Sequence, residues 1–364
     1  MKTFSSKILT LDKKGDDSSF LYSFNRIFVP KIIKMKILIT GASGFIGSFI
    51  VEEALRRGYE TWAAVRKSSS RVFLQDERIR LIELNLSSQQ QLEEQLRDHH
   101  FDYVVHAAGA TKCLHPDDFF RINTEGTQHL VGALMALKMP LRRFVFISSL
   151  SIMGAIREQQ PYTEIMESDE PHPNTAYGKS KLAAEQWLQT LSDFPYVILR
   201  PTGVYGPRER DYFTQIQSIK RHVDFAVGYQ RQDITFVYVT DVVQAVFLAL
   251  EKGAVGRKYI LSDGEVYQSS EFSDLVHEAL GRPWWIRITA PIWLLRVITW
   301  GGDWWGRLTG RLSVLNKDKF NILRQRNWRC DISPARQELG YEPQVKLAEG
   351  VRRSIQWYQE NKWL

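Results

Sequence analysis

Residues 37 to 47, Ile37-Leu38-Ile39-Thr40-Gly41-Ala42-Ser43-Gly44-Phe45-Ile46-Gly47, constrain the fold more than any other stretch of the chain. An apolar run of strand type passes directly into three evenly spaced glycines. Helical periodicity then follows at Phe45, Ile46, Phe49, Ile50, Ala54 and Leu55, closed by Gly58. Gly41 suits a tight strand-to-helix turn, Gly44 leaves the backbone open to a pyrophosphate, and Gly47 lets the helix pack closely on the strand. The helix start, with the amides of Ser43, Phe45 and Ile46 around it, offers unpaired N–H groups and a positive dipole end to an anion. Strand before and helix after give the glycines the context they need to be read as a dinucleotide phosphate cradle.

Met35-Lys36 stands immediately before this strand, so residues 1–34 are expected to be additional: a flexible extension, or the product of an upstream start with Met35 as the working one. They carry seven Lys/Arg against three Asp, a net +4 of the chain's +7. The other residues keep only +3, and no nucleic-acid groove is expected. The early apolar run Ile8-Leu9-Thr10-Leu11 is too short for a signal peptide. Cys113 and Cys330 are the only cysteines and lack metal-type spacing. Disulfides and a metal site are therefore not expected, and a reducing, cytoplasmic location is. No apolar run approaches the roughly 20 residues of a spanning helix.

Strand and helix patterns alternate as in a doubly wound Rossmann α/β fold. Strands are expected near 36–40, 59–65, 79–84, 101–106, 143–148 and 195–199, and helices near 45–57, 88–97, 117–138 and 174–191. Right-handed crossovers give the parallel order 3-2-1-4-5-6. The expected division is a dinucleotide-binding domain at 35–200, its sheet also taking elements near 234–261, and a smaller α/β substrate domain at 201–364. In the latter, strands are expected near 234–238, 257–261 and 284–288, and helices near 241–251, 270–280, 291–300 and 348–361.

Tyr177-Gly178-Lys179-Ser180-Lys181 puts Tyr177 and Lys181 on one helix face, where an ammonium near the phenol favours its ionised form. Such a phenol exchanges a proton with an alcohol oxygen. The spacing alone is uninformative, since Tyr358 and Lys362 repeat it in a helix where a surface pair is expected. Tyr177 differs because Phe146-Ile147-Ser148-Ser149 ends a central strand, and that end borders the ligand crevice of an open parallel sheet.

Over nearly all of residues 35–364 the chain resembles the extended short-chain dehydrogenases/reductases. The resemblance is carried by Thr40 to Gly47, His106-Ala107-Ala108-Gly109, Asn123-Thr124-Glu125-Gly126-Thr127, Ser148-Ser149, Tyr177 to Lys181, and Arg200-Pro201-Thr202-Gly203-Val204-Tyr205-Gly206-Pro207. It implies Tyr177 as the acid/base, Lys181 on the nicotinamide ribose, Ser149 on the reacting oxygen, and Asn123 in support. Ser148 and Ser151 are alternatives for the serine role. It further implies Asn85, Leu86, Ala107, Ala108, Gly109, Pro201 and Val204 along the cofactor, and a homodimer through the helices near 117–138 and 174–191.

Three features bear on cofactor and substrate. After the second strand stands Ala64-Val65-Arg66-Lys67-Ser68, without the carboxylate that holds an NAD ribose. Arg66 and Ser68 suit a 2′-phosphate, as in dihydroflavonol-reductase-like relatives, so NADP(H) is preferred over NAD(H). Nucleotide-sugar enzymes of this family usually carry Arg-Asp where this chain has Ile234-Thr235, the Arg reaching the substrate diphosphate. Arg231 is the residue that could compensate, and Asp241 is expected to cap the next helix. Finally, Trp284, Trp285, Trp293, Trp300, Trp304 and Trp305 fall within 22 residues, among Arg287, Arg296, Arg307 and Arg311. The segment 284–311 resembles steroid-dehydrogenase-like members and suits an apolar substrate or a membrane surface, with core packing as the plainer reading. The expectation is an NADP(H)-dependent oxidoreductase acting on a ketone or secondary alcohol of an apolar, lipid-, steroid- or flavonoid-like substrate. A nucleotide-sugar epimerase or dehydratase with bound NAD is the alternative, and a non-catalytic dinucleotide-binding scaffold the third.

Overall fold

The computed structural model describes residues 34–281, 284–309 and 317–364, with backbone only over 303–309. The leader therefore lies outside the described residues, as do Arg311 and the side chains of Trp304, Trp305 and Arg307.

The chain runs β1 (Lys36–Thr40), α1 (Phe45–Arg56), β2 (Glu60–Val65), β3 (Arg80–Glu83), α2 (Gln89–Leu96) and β4 (Tyr103–His106). It continues with a short α3 (Pro116–Phe119), α4 (Gly126–Ala136), β5 (Arg143–Ile147), α5 (Ala176–Gln189), β6 (Tyr196–Pro201), β7 (Gly203–Tyr205) and α6 (Asp211–Lys220). Then come β8 (Val223–Val227), β9 (Asp233–Ile234), β10 (Phe236–Tyr238), α7 (Val239–Lys252), β11 (Lys258–Leu261), β12 (Tyr267–Gln268) and α8 (Glu271–Ala279). The last elements are β13 (Ile286–Ala290), α9 (Ile292–Thr309), α10 (Lys317–Arg324) and α11 (Leu347–Glu360).

Seven parallel strands form the central sheet in the order β3-β2-β1-β4-β5-β6-β11. Ile37 and Ile39 face one side and Leu38 the other, all fully buried, because helices cover both faces. On the first face Val105, Val145 and Leu199 pack with Ile50, Val51 and Ala54 of α1 and Val243, Val246 and Phe247 of α7. On the second, Val104, Phe144, Phe146 and Ile198 pack with Leu130 and Leu134 of α4 and Ala184 and Leu188 of α5.

Several expectations need correction. The region near 234–238 does not join this sheet: β10 pairs with β7 and β9 with β12, and only β11 extends the central sheet. A single helix over 117–138 is interrupted by a π-helical turn at Phe120–Glu125, from which the Asn123 side-chain oxygen accepts the Ala110 amide in the loop after β4. The helix expected near 291–300 runs on to Thr309. Tyr358 is no surface residue, for its buried hydroxyl donates to the carbonyls of Gly206 at 2.9 Å and Glu209 at 2.8 Å. It belongs to a third cluster, with Tyr205, Phe236, Phe272 and Val351. Asp241 does not cap α7 but accepts the backbone N–H groups of Gln344 and Val345, both at 3.1 Å, pinning the approach to α11.

Candidate active site

The cradle is set by backbone approach. Gly41 has φ +69, and a Cβ there would lie 2.6 Å from the backbone of Ala107 and Ala108; a Cβ on Gly47 would overlap the carbonyl of Gly41. The glycines thus bring β1, α1 and the exit of β4 into contact. α1 begins at Gly44 with no side-chain cap, which leaves its first amides, those of Phe45, Ile46 and Gly47, for an anion. This arrangement fits a dinucleotide.

Tyr177 stands in the first turn of α5, where the Thr175 side chain caps the helix at the Gly178 amide. A Cβ on Gly178 would lie 2.6 Å from the Ser151 carbonyl, so glycine here lets α5 close onto the turn that carries Ser149. Burial pushes the Tyr177 phenol above its ordinary pKa, and a hydrogen bond with Ser149 draws it back in part. The Ser149 hydroxyl accepts the Ser151 amide at 3.1 Å and donates to the Ser151 hydroxyl at 3.0 Å.

Lys181 is buried, its ammonium donating to the Ile147 carbonyl at 2.8 Å and lying 4.6 Å from the centre of the Phe146 ring. Desolvation lowers its pKa to about 8, with Glu185 acting in the opposite direction. The Lys181 ammonium is thus held by β5, while Ser149 is the group that draws the Tyr177 phenol back toward its ordinary value. Asn123 is fully buried, linked to both backbone polar groups of Ala110 and donating to the Ser180 hydroxyl at 2.9 Å. Gly109 faces Asn123 and the Lys181 ammonium.

The remaining expected residues divide. Ser148 is not available to a substrate, since its buried hydroxyl donates to Glu185. Arg66 is exposed beyond β2, in a turn closed by Ser69, and no hydrogen bond or ion pair engages its guanidinium among the described residues. Ser68 is exposed beside it. The Asn85 amide is held by Gln91 and Ser87, while Leu86 is half-buried next to it. Pro201 ends β6 and is buried; Val204 lies half-buried in β7. Arg231 does not compensate at Ile234: it pairs with the buried Asp233 at 2.7 Å, and Arg329 reaches the same carboxylate at 3.4 Å. Thr235 is buried between the Thr202 hydroxyl at 2.8 Å and the Trp328 carbonyl at 2.7 Å. Of the tryptophans, Trp284, Trp293 and Trp300 are exposed, whereas Trp285 is half-buried between the His277 ring and the Arg287 guanidinium.

Three contributors are missing from the sequence reading. Asp318 of α10 meets the start of α5, accepting the amides of Ala176 and Tyr177. Arg208 lies between the Phe49 and Phe73 rings and bonds Ser48 and Glu52, tying the loop after Arg66 to α1. Glu185 and Arg200 form a buried ion pair under the site. Of these, Arg200 opens the Arg200 to Pro207 stretch that carries the resemblance, and Glu185 continues the Tyr177–Lys181 face of the helix.

A model of the NAD dependent epimerase/dehydratase family matches residues 37–262, and the chain belongs to that family. It is an NAD(P)-dependent enzyme of this superfamily. It is 26% identical to UDP-glucose 4-epimerase of Vibrio cholerae, over 88% of this chain and 94% of that protein. It is 24% identical to the 3 beta-hydroxysteroid dehydrogenase/Delta 5-->4-isomerase of Mycobacterium tuberculosis, over 89% of this chain and 90% of that one. Among solved structures, UDP-glucose 4-epimerase of Thermotoga maritima with UDP-glucose superimposes with a TM-score of 0.72 at 23% identity, covering 90% of this chain and all of the other. That likeness shows the fold: a parallel Rossmann sheet with a smaller C-terminal α/β region.

Proposed function

We propose that the chain is an NADP(H)-dependent oxidoreductase that interconverts a ketone and a secondary alcohol on a rather apolar substrate. The observation that carries this reading is the residue set at β9. Where sugar-nucleotide enzymes place an Arg for a diphosphate, this chain has Ile234, and the nearby Arg231 and Arg329 are engaged by Asp233. An aliphatic side chain cannot replace a guanidinium on a phosphate.

When bound, the dinucleotide supplies or accepts hydride. Ser149 holds the substrate oxygen, and Tyr177 transfers the proton. A phenol kept protonated by burial is the form that donates as a ketone oxygen is reduced. Lys181 and Asn123 order the nicotinamide side, and Arg66 with Ser68 receives a 2′-phosphate. Glu83, opposite Val65 in the sheet, is drawn toward Arg71 at 3.8 Å. The exposed Trp293, Val297 and Trp300, with Arg296, support a peripheral membrane contact along α9. The exposed Ile122 of the π-helical turn and Met135 of α4 support pairing of two copies through the helical segment near 117–138.

The kinship with UDP-glucose 4-epimerase favours the second reading, an epimerase or dehydratase retaining NAD. Denaturing the purified protein and identifying released nucleotide separates the two. An empty site that takes up NADPH and reduces apolar ketones supports the reductase, and stoichiometric NAD overturns it.

A further inference from the structure

Glu185 lies two turns along α5 from Tyr177 and one from Lys181, fully buried. Its carboxylate receives Arg200 through Nη2 at 2.6 Å and Nε at 3.2 Å, and the Ser148 hydroxyl donates to it as well. Arg200, at the end of β6, is equally enclosed, and its Nη1 has no partner among the described residues. Two chain neighbours of Ser148 carry the site above: Ile147, whose carbonyl accepts the Lys181 ammonium, and Ser149, whose hydroxyl acts on the Tyr177 phenol. The ion pair therefore fastens α5, β5 and β6 at the point from which the chemical groups project.

A buried ion pair is seldom more stabilising than apolar residues of the same size, because two charges lose their water. Its position suggests another use. The Lys181 ammonium meets the Ile147 carbonyl and the Phe146 ring of β5, His106 of β4 lies within reach of its charge, Asn123 meets it at Gly109, and Tyr177 and Glu185 stand one turn before and after it on its own helix, Glu185 carrying the Arg200 cation of β6. His106, held between Thr40 and Thr127, is neutral, since burial and the nearby ammonium keep its pKa at about 3. Glu185 is the one anion in this set.

We infer that Glu185 is a positioning residue that keeps Lys181 protonated in its dry setting, while Arg200 and Ser148 fix the carboxylate that does so. The inference rests on the reading that Lys181 contacts the bound dinucleotide. NADPH titrated into the full chain by fluorescence from pH 6 to 10 tests it. Wild-type affinity is expected to weaken on the alkaline side as Lys181 loses its proton. Glu185→Gln should move that midpoint down by about one pH unit, with affinity at pH 6 changed less than about threefold. Glu185→Asp should restore the midpoint. The double variant Glu185→Gln with Arg200→Gln removes the unpaired Arg200 charge that the single variant leaves buried, stands in where the single variant does not fold, and should give an intermediate midpoint. A wild-type midpoint in a folded Glu185→Gln or double variant, or an affinity loss equal at every pH, overturns the inference. If Lys181→Met abolishes the alkaline limb in the same series, that failure is confined to Glu185. A wild-type profile without any alkaline limb instead removes the cofactor role of Lys181, and the inference with it.

Discussion

The carboxylate of Asp318 accepts the backbone N–H of Tyr177 at 3.3 Å and that of Ala176 at 2.9 and 3.1 Å. The helix that carries the candidate acid/base thus begins on an anion delivered from α10, in the C-terminal region. A carboxylate here satisfies amides that have no partner within the helix and also complements the dipole. Asn321, one turn further along α10, donates to the Asn174 carbonyl at 2.7 Å and fastens the same junction.

Replacing Asp318 by Ala should lower stability by about 1 kcal/mol, the usual worth of a lost helix cap. If the contact also aims Tyr177, turnover should fall by more than the folded fraction does, and Asp318→Asn should recover part of both. Chemical denaturation alongside ketone reduction measures the two quantities. Unchanged turnover in a fully folded Asp318→Ala protein would show that the contact only caps the helix.

Tyr177→Phe should reduce turnover by about 10²- to 10⁴-fold, the range of a lost general acid/base. NADPH binding should be nearly unaffected, because the phenol bonds Ser149 and does not support the cradle. Lys181→Met should differ by weakening cofactor binding too. Isothermal titration with NADPH, run beside steady-state kinetics, separates these patterns; near-normal turnover of the Phe variant would remove Tyr177 from the chemistry.

The Rossmann half was legible because its signals are local. Burial on both faces writes itself as Ile37-Leu38-Ile39 and Phe144-Val145-Phe146, and the cradle announces itself through glycine spacing. The Tyr177–Lys181 face is equally a matter of helical period. What could not be read depends on partners far apart in sequence. Asp318 and Tyr177 are 141 residues apart, and Asp241 binds backbone 103 and 104 residues away in place of its own helix. The π-helical turn at Asn123 arises inside a sequence with ordinary helical periodicity. Likewise the phenols of Tyr177 and Tyr358 have the same spacing to a lysine, and only tertiary packing decides that one faces Ser149 while the other is buried against Gly206 and Glu209.

Arg66→Ala should weaken NADPH by roughly 1.5 to 3 kcal/mol, the range for a hydrogen bond to a charged group. NADH, lacking the 2′-phosphate, should change little. The guanidinium has no competing partner among the described residues, so the substitution should cost almost nothing in folding. Parallel Kd measurements with both cofactors are decisive: equal wild-type affinity for the two would sink the NADP assignment.

The pKa of Lys181 makes a prediction about stability as a function of pH. In the folded chain burial holds it at about 8, below the 10.5 of a solvated lysine. Below pH 8 the ammonium is charged in both states and its desolvation opposes folding. Between pH 8 and 10.5 the folded form releases the proton while the unfolded form still binds it, so this residue's contribution to stability rises with pH. The gain across that window should be on the order of 2 to 3 kcal/mol. Buried tyrosines act oppositely but later: burial holds the Tyr212 and Tyr238 phenols above their ordinary value of 10, so they disfavour the folded state only once an unfolded tyrosine would ionise. From pH 8 to 9.5 the thiols of Cys113 and Cys330, which burial holds above their ordinary value, act against the folded state and Lys258 acts with Lys181, so Lys181 is isolated by the difference between wild type and Lys181→Met. Urea unfolding across this interval should give a stability that climbs less steeply for Lys181→Met than for the wild type. Parallel curves for the two proteins would mean that the buried lysine does not exchange its proton in this range.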